Sequence, residues 1–271
     1  MVGPLYRSVK KMNISILGAG NVATHLARAF SGAGHRVAVW NRSETGLLPL
    51  RGDLGCFCTV DMAALPIDTD VYIIAVKDDA VASVAHLLAE ATRKHPHFRS
   101  LVAHTAGSLP MSLLEDCFGH CGVFYPMQTF SKSKPLDYSK IPFFVEEKGN
   151  QLKQLARSVS EHVFNLTSEQ RKVLHLASVF ACNFANHCYS IAEDVLKKIG
   201  VPFTALLPLI GETTDKVSVL LPLEAQTGPA VREDQVVMNS QLQLLSGNPD
   251  LQEIYARMSE SIIKFKSHDR L

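Results

Sequence analysis

The sequence has almost no net charge. Its 271 residues carry 27 Lys and Arg against 26 Asp and Glu, a balance of +1. That excludes a protein that holds nucleic acid or an anionic membrane by bulk charge. It leaves room for a local basic pocket sized for one phosphate. C-x-x-C pairs are also missing: the six cysteines stand at 56, 58, 117, 121, 182 and 188. Free thiols in a reducing cytoplasm are expected, not a disulfide framework. Cys117, His120 and Cys121 lie close in sequence, but no fourth ligand accompanies them, so no metal is expected. Low-complexity tracts and internal repeats are absent. The segment from Met1 to Met12 is short, basic and polar, and lacks the apolar core of a cleavable signal. A cytoplasmic location is therefore the expectation.

One run of residues is long enough to test for a membrane span. Val173 to Ala192 holds 20 residues without Asp, Glu, Lys or Arg, a length that can cross a bilayer. His175, Ser178, Asn183, Asn186, His187 and Ser190 interrupt it. At about 100° per residue they share one side of a helix, which describes a buried helix with a polar stripe.

What is present is globular. Apolar residues make up 46% and charged residues 20%. A chain of this length accommodates about two domains of roughly 150 residues each, with a full hydrophobic core. Asn13 to Leu17 reads as a short apolar strand running into glycine. Residues 21–33 come next as a helix, with Val22, Leu26, Ala29 and Phe30 on one side. Arg36 to Trp40 reads as a second strand. Val71 to Val76, an unbroken apolar run, suits a strand buried on both faces of a parallel sheet. A helix over 81–91 and strands over 101–104 and 122–125 complete the alternation. The pattern changes after residue 167. Ser168 is a plausible N-cap for a helix running to Ile199, where Gly200 and Pro202 stop it. Helices over about 203–210, 212–221, 233–246 and 249–266 complete the chain. The expected fold is α/β, a doubly wound parallel Rossmann sheet followed by an all-α C-terminal domain, divided as 1–167 and 168–271.

Gly18-Ala19-Gly20-Asn21-Val22-Ala23 matches G-x-G-x-x-G/A between the first strand and the first helix. Gly18 permits the tight turn, Gly20 lets the backbone approach a pyrophosphate, and Ala23 keeps helix close to strand. The free N–H groups at Asn21 and Val22 then face the phosphates. At the end of the second strand, an NAD site usually carries an acid for the ribose 2′-hydroxyl. Here Asn41-Arg42-Ser43 stands instead. Arg42 can pair with a 2′-phosphate, and Asn41 and Ser43 can donate hydrogen bonds. NADP(H) is therefore expected over NAD(H). Val76 and Lys77, and Thr105 after the next strand, should also face the cofactor across the strand ends.

For chemistry, His104 ends a strand beside Thr105, Gly107 and Ser108. It can exchange a proton with a reacting atom or bond its own loop. Tyr125 to Phe130 comes after a later strand and can orient a substrate. On the long helix, His175 and Asn183 can bind a carbonyl, imine or carboxylate, or form a polar seam between helices or subunits. Arg232 can hold an anion or pair within its own loop.

These motifs together carry a resemblance. The phosphate loop, Asn41-Arg42-Ser43 and Ala75-Val76-Lys77-Asp78 resemble the Rossmann half of pyrroline-5-carboxylate reductase and deazaflavin-dependent NADP oxidoreductases. His104 to Ser108, Tyr125 to Phe130, the helix with His175 and Asn183, and Thr227 to Asp234 resemble Rossmann-like proteins with a C-terminal helical domain of unknown function. That domain is related to the one of 6-phosphogluconate dehydrogenase. The resemblance spans about residues 13–266. The chain has Tyr125-Pro126 where the family usually has His-Pro, and Arg232-Glu233-Asp234 where it has Arg-Gly-Asp. The lysine–asparagine pair of hydroxyacid dehydrogenases does not stand out on the long helix. The resemblance implies NADP binding, a helical dimerisation domain giving a homodimer, and a site between domains. The resulting expectation is an NADP(H)-dependent oxidoreductase moving a hydride to or from a small carbonyl or imine, assisted by His104 or His175. A non-catalytic NADP-binding redox sensor or partner protein is the alternative.

Overall fold

A computed structural model describes residues 10–95 and 98–267. The segment read as lacking a signal lies, up to residue 9, outside the described residues. The chain divides into two compact units, Met1–Asn186 and His187–Leu271. The first unit thus extends past the last strand and takes in the front half of the long helix.

In the first unit, β1 (Asn13–Leu17), β2 (Arg36–Trp40), β3 (Phe57–Thr59), β4 (Val71–Ile74), β5 (Leu101–His104), β6 (Cys121–Pro126), β7 (Phe143–Glu147) and β8 (Val163–Asn165) form one sheet. Its order is β3-β2-β1-β4-β5-β6-β7-β8. All neighbours pair in parallel except β6 and β7. Alternate side chains explain the two layers. Ile14, Ile16, Val71 and Ile73 pack on one face, with Leu26 and Phe30 of helix α1 (Asn21–Gly32) and Leu152 and Leu155 of a later helix, Gln151–Arg157. Leu17, Tyr72 and Ile74 pack on the other, against Val81, Val84 and Leu88 of a helix over Val81–Thr92. Both faces are covered, as parallel sheets require.

The strand order reverses direction between β1 and β4. This is the switch point, where the ends of neighbouring strands open a crevice for a ligand. β4 ends at Ile74, two residues short of the apolar run, and the Ala75 carbonyl beyond it lies against Gly18 of the phosphate loop.

Beyond β8 the chain is helical. The helix Ser168–Ser178, here named H1, continues through a π-helical stretch, Val179–Phe184, into a further helix, Ala185–Lys197. A capping box at Thr167 and Gln170 starts it. In the second unit one helix, Leu207–Val219, replaces the two expected over 203–221. Gly211 does not break it, since glycine costs only about 1 kcal/mol inside a helix. Helices Gln235–Leu244 and Pro249–Ser267 complete the unit. Asp234 caps the former by accepting from Val237 N–H at 3.1 Å. Tyr255 Oη donates to Gln241 Oε1 at 2.5 Å and ties the two together.

Candidate active site at the strand ends

The phosphate loop has the backbone its glycines were expected to give it. Gly18 has φ +121°, and a Cβ there would collide with the Ala75 carbonyl and abut Val76. Its N–H donates to the Trp40 carbonyl at 2.7 Å, locking the turn to β2. Gly20 precedes helix α1 in extended backbone, with no atom within 4 Å of where a Cβ would lie. The space over the helix N-terminus is therefore open to a phosphate. Ala23 is fully buried against the sheet. Val22 is half-buried, and Asn21 is exposed with its amide donating to the Phe130 carbonyl at 2.9 Å. The loop after β6 is thereby laced to helix α1. His25 extends the lacing: Nε2–H donates to the Ser131 carbonyl at 2.8 Å, and Nδ1 lies 3.0 Å from the Tyr138 hydroxyl.

At the end of β2, the Asn41 amide donates to the Ser43 carbonyl and hydroxyl at 2.8 and 3.3 Å. It is a brace of the turn. Gly46 backs onto it, since a Cβ there would lie 2.8 Å from Asn41 Nδ2 and 3.0 Å from Ala19 Cβ. Arg42 is exposed and forms no ion pair among the described residues. The neighbouring acid, Glu44, is taken by Arg51, whose Nη1 donates to it at 2.7 Å. An open cationic end with its adjacent acid already engaged fits a 2′-phosphate. Val76 sits against Gly18, and Lys77 is exposed beside it. Thr105 is buried, with its hydroxyl turned toward the Ile74 carbonyl at 3.5 Å.

His104, expected either to exchange a proton or to bond its own loop, ends β5. It is fully buried, and both ring nitrogens are engaged. Nδ1 accepts from Ala106 N–H at 3.2 Å, so Nε2 carries the proton and donates to the Pro110 carbonyl at 3.3 Å. Burial holds its pKa down to about 4, against the opposing pull of the Pro110 bond. The neutral ring thus bonds its own loop through both nitrogens.

A different pair occupies the strand ends. Tyr125, at the end of β6, places its hydroxyl 3.1 Å from His175 Nδ1, with the two rings nearly edge to face. Both residues are half-buried. Gly107 is what lets them approach the loop after β5: a Cβ there would fall 2.7 Å from His175 Nδ1 and 2.9 Å from Tyr125 Cζ. Ser178, one turn on, donates to the Leu174 carbonyl at 2.9 Å and touches Met127 Sδ at 3.2 Å. Burial pushes the Tyr125 phenol up, partly offset by the Ser178 hydroxyl. One residue beyond Gly107, Ser108 Oγ donates to the Asp78 carboxylate. Asn183 is exposed on the π-turn, and no hydrogen bond joins it to these groups among the described residues.

Sequence reasoning missed the device that fixes His175 in place. Arg171 is 1% exposed. Its Nη1 donates to Glu146 Oε2 and its Nη2 to the Leu109 carbonyl, both at 2.5 Å. Ser168 N–H and Oγ donate to the same carboxylate at 3.0 and 2.8 Å. The base of H1 is thus bolted to β7 and to the loop after β5. A signal for it exists in the sequence. Ser168, Arg171, His175, Ser178 and Cys182 repeat at steps of three and four, which places them on one helical face.

A Rossmann sheet, a glycine loop at its switch point and an exposed arginine at the end of β2 are the features of a dinucleotide-binding domain. Comparison narrows this. Residues 13–103 match the family described as NADP oxidoreductase, coenzyme F420-dependent, and residues 141–262 match a domain of unknown function, DUF2520. A crystal structure of a Bacteroides fragilis protein, provisionally described as an NADP oxidoreductase, is 42% identical, with 95% of this chain and 100% of that one covered and a TM-score of 0.87. The chain belongs to this NADP oxidoreductase family, and its cofactor is NADP(H). Two more distant structures share the fold. A Coxiella burnetii pyrroline-5-carboxylate reductase is 19% identical over 95% of this chain and 98% of its own, with a TM-score of 0.60. An Aspergillus terreus reductive aminase, in complex with NADPH and ethyl levulinate, is 15% identical over 94% of each chain, with a TM-score of 0.68. No curated protein matches the sequence.

Proposed function

We propose that this protein catalyses NADP(H)-dependent hydride transfer to or from a small carbonyl or imine. When bound, NADPH supplies the hydride. The phosphate loop and Arg42 would hold its phosphates. Tyr125 and His175 are the groups we assign to the substrate, and their contact at the end of β6 carries the reading. A phenol whose ionisation burial opposes keeps its proton at neutral pH. Tyr125 Oη then donates a hydrogen bond to the substrate oxygen or nitrogen and releases its proton as electron density arrives there. His175 Nδ1 lies within reach to restore that proton. The anchored base of H1 holds the imidazole in register, and orientation contributes much of the rate.

NADPH oxidation followed at 340 nm across keto acids, ketones, aldehydes and cyclic imines tests the reading. Turnover with one class, abolished in Tyr125→Phe, is expected. Tight NADPH binding with no turnover of any class would overturn it.

We further propose a homodimer through the C-terminal helices. Leu209, Val219, Leu221, Val236 and Leu244 are each between 64% and 82% exposed, an unusual density of bare large side chains. Light scattering at micromolar concentration should give twice the chain mass, and a monomer would refute the assignment. A cytoplasmic setting, suited to six thiols, completes the proposal. Among the described residues no helix is long and apolar enough to cross a membrane.

A further inference from the structure

We infer, resting on the hydride-transfer reading above, that the site selects a cationic substrate, a protonated imine or its amine product, over one that bears a carboxylate. The observation is a carboxylate with no cation on it. Asp78 stands just past the end of β4, exposed, held by the Ser108 hydroxyl and in no ion pair among the described residues. Its holder comes directly after Gly107, the residue pressed against both His175 Nδ1 and the Tyr125 ring. The anion and the Tyr125–His175 pair therefore lie at the same ends of three adjacent strands, β4, β5 and β6.

The cations nearby do not offset it. Arg171 is buried, committed to Glu146 and the Leu109 carbonyl, and beyond the reach of a substrate anion. Lys77, next to Asp78 in sequence and exposed, is assigned with Val76 to the cofactor rather than to the substrate. With Arg171 neutralised by its partner, Asp78 is the charge a ligand meets. A carboxylate placed there would meet repulsion. An iminium would gain a charge-assisted contact.

The chemistry balances. Hydride adds to the iminium carbon, and the C=N π pair moves to nitrogen. A neutral amine results, and NADPH becomes NADP+. The amine nitrogen then takes a proton from Tyr125 Oη or water and again presents a cation to Asp78. In the reverse direction the ammonium loses that proton before hydride leaves its carbon.

Ligand-observed NMR on the NADP+-loaded protein tests the inference without turnover. The probes are pyrrolidinium and cyclopentanecarboxylate, similar in ring size and opposite in charge. Pyrrolidinium should bind at least tenfold more tightly. Asp78→Asn should erase most of that preference, and Asp78→Glu should restore part of it. Equal binding, or tighter binding of the carboxylate, overturns the inference. If Asp78→Asn fails to fold, the wild-type pair of affinities still decides. In parallel, 1-pyrroline should be reduced at least tenfold more efficiently than 1-pyrroline-5-carboxylate. Cation preference without turnover of any carbonyl or imine would sink the hydride-transfer reading while leaving the charge selection standing. Turnover that favours the carboxylated imine would sink the selection alone.

Discussion

The buried His104 makes the protein acid-labile in a defined window. In the folded chain its ring is neutral, with a pKa near 4 against an ordinary 6.5. In the unfolded chain the ring takes a proton as pH falls below about 6.5. Between the two values the unfolded state binds the extra proton, so stability falls as pH falls from about 6.5 to about 4. Below about 4 both states are protonated and this contribution levels off. At about 1.4 kcal/mol per pH unit the window amounts to about 3 kcal/mol, a large part of a typical domain stability. His35, also lowered by burial, and the carboxylates add their own pH dependence. The informative quantity is therefore a difference. Urea denaturation of wild type and His104→Gln should be compared from pH 7 to 4 at one protein concentration. Glutamine can still donate to the Pro110 carbonyl but does not titrate. The wild type should lose about 3 kcal/mol more than the variant across that range. Parallel curves would refute the account of His104 as a neutral, loop-holding ring. A loss of turnover in a well-folded His104→Gln that retains NADPH affinity would return it to the chemistry.

The same geometry gives other expected outcomes. Arg42→Asp should weaken NADPH binding by tenfold or more, the worth of a charge-assisted bond at about 1.5–3 kcal/mol, and leave NADH nearly unaffected by fluorescence titration. Glu146→Ala strands the buried Arg171 guanidinium and should destabilise the fold by about 3–5 kcal/mol in urea. Tyr125→Phe should lower kcat by about 10²–10⁴-fold with NADPH affinity unchanged. An undiminished kcat would remove Tyr125 from proton transfer.

The first half of the sheet is legible in the sequence because its strands are continuous apolar runs and its loop carries a glycine motif. Other elements are hidden for physical reasons. The helix Leu48–Leu54 contains Pro49 and Gly52, which read as loop. β7 ends in Glu146 and Glu147, an acidic pair that resembles surface. Yet Glu147 accepts from the N–H groups of Gln151, Leu152 and Lys153 and so caps the next helix across a turn. Glu146 holds Arg171. Neither role leaves a local trace, because each partner is set by tertiary packing. The same applies to the site. His175 stands out from its polar stripe, but its meeting with Tyr125, 50 residues away, depends on how the helix lies on the strand ends.

The anchored helix H1 also bears on how this protein can be divided. A cut after residue 167 would keep every strand, the phosphate loop and Arg42. It would remove Arg171 and His175 together, and leave Glu146 facing a hole. The contact between Tyr125 and His175 therefore joins two stretches of chain that such a cut would part. Exchanging the segment from Ser168 to Phe184 between relatives would change the partner that Tyr125 meets while the phosphate loop stays in place.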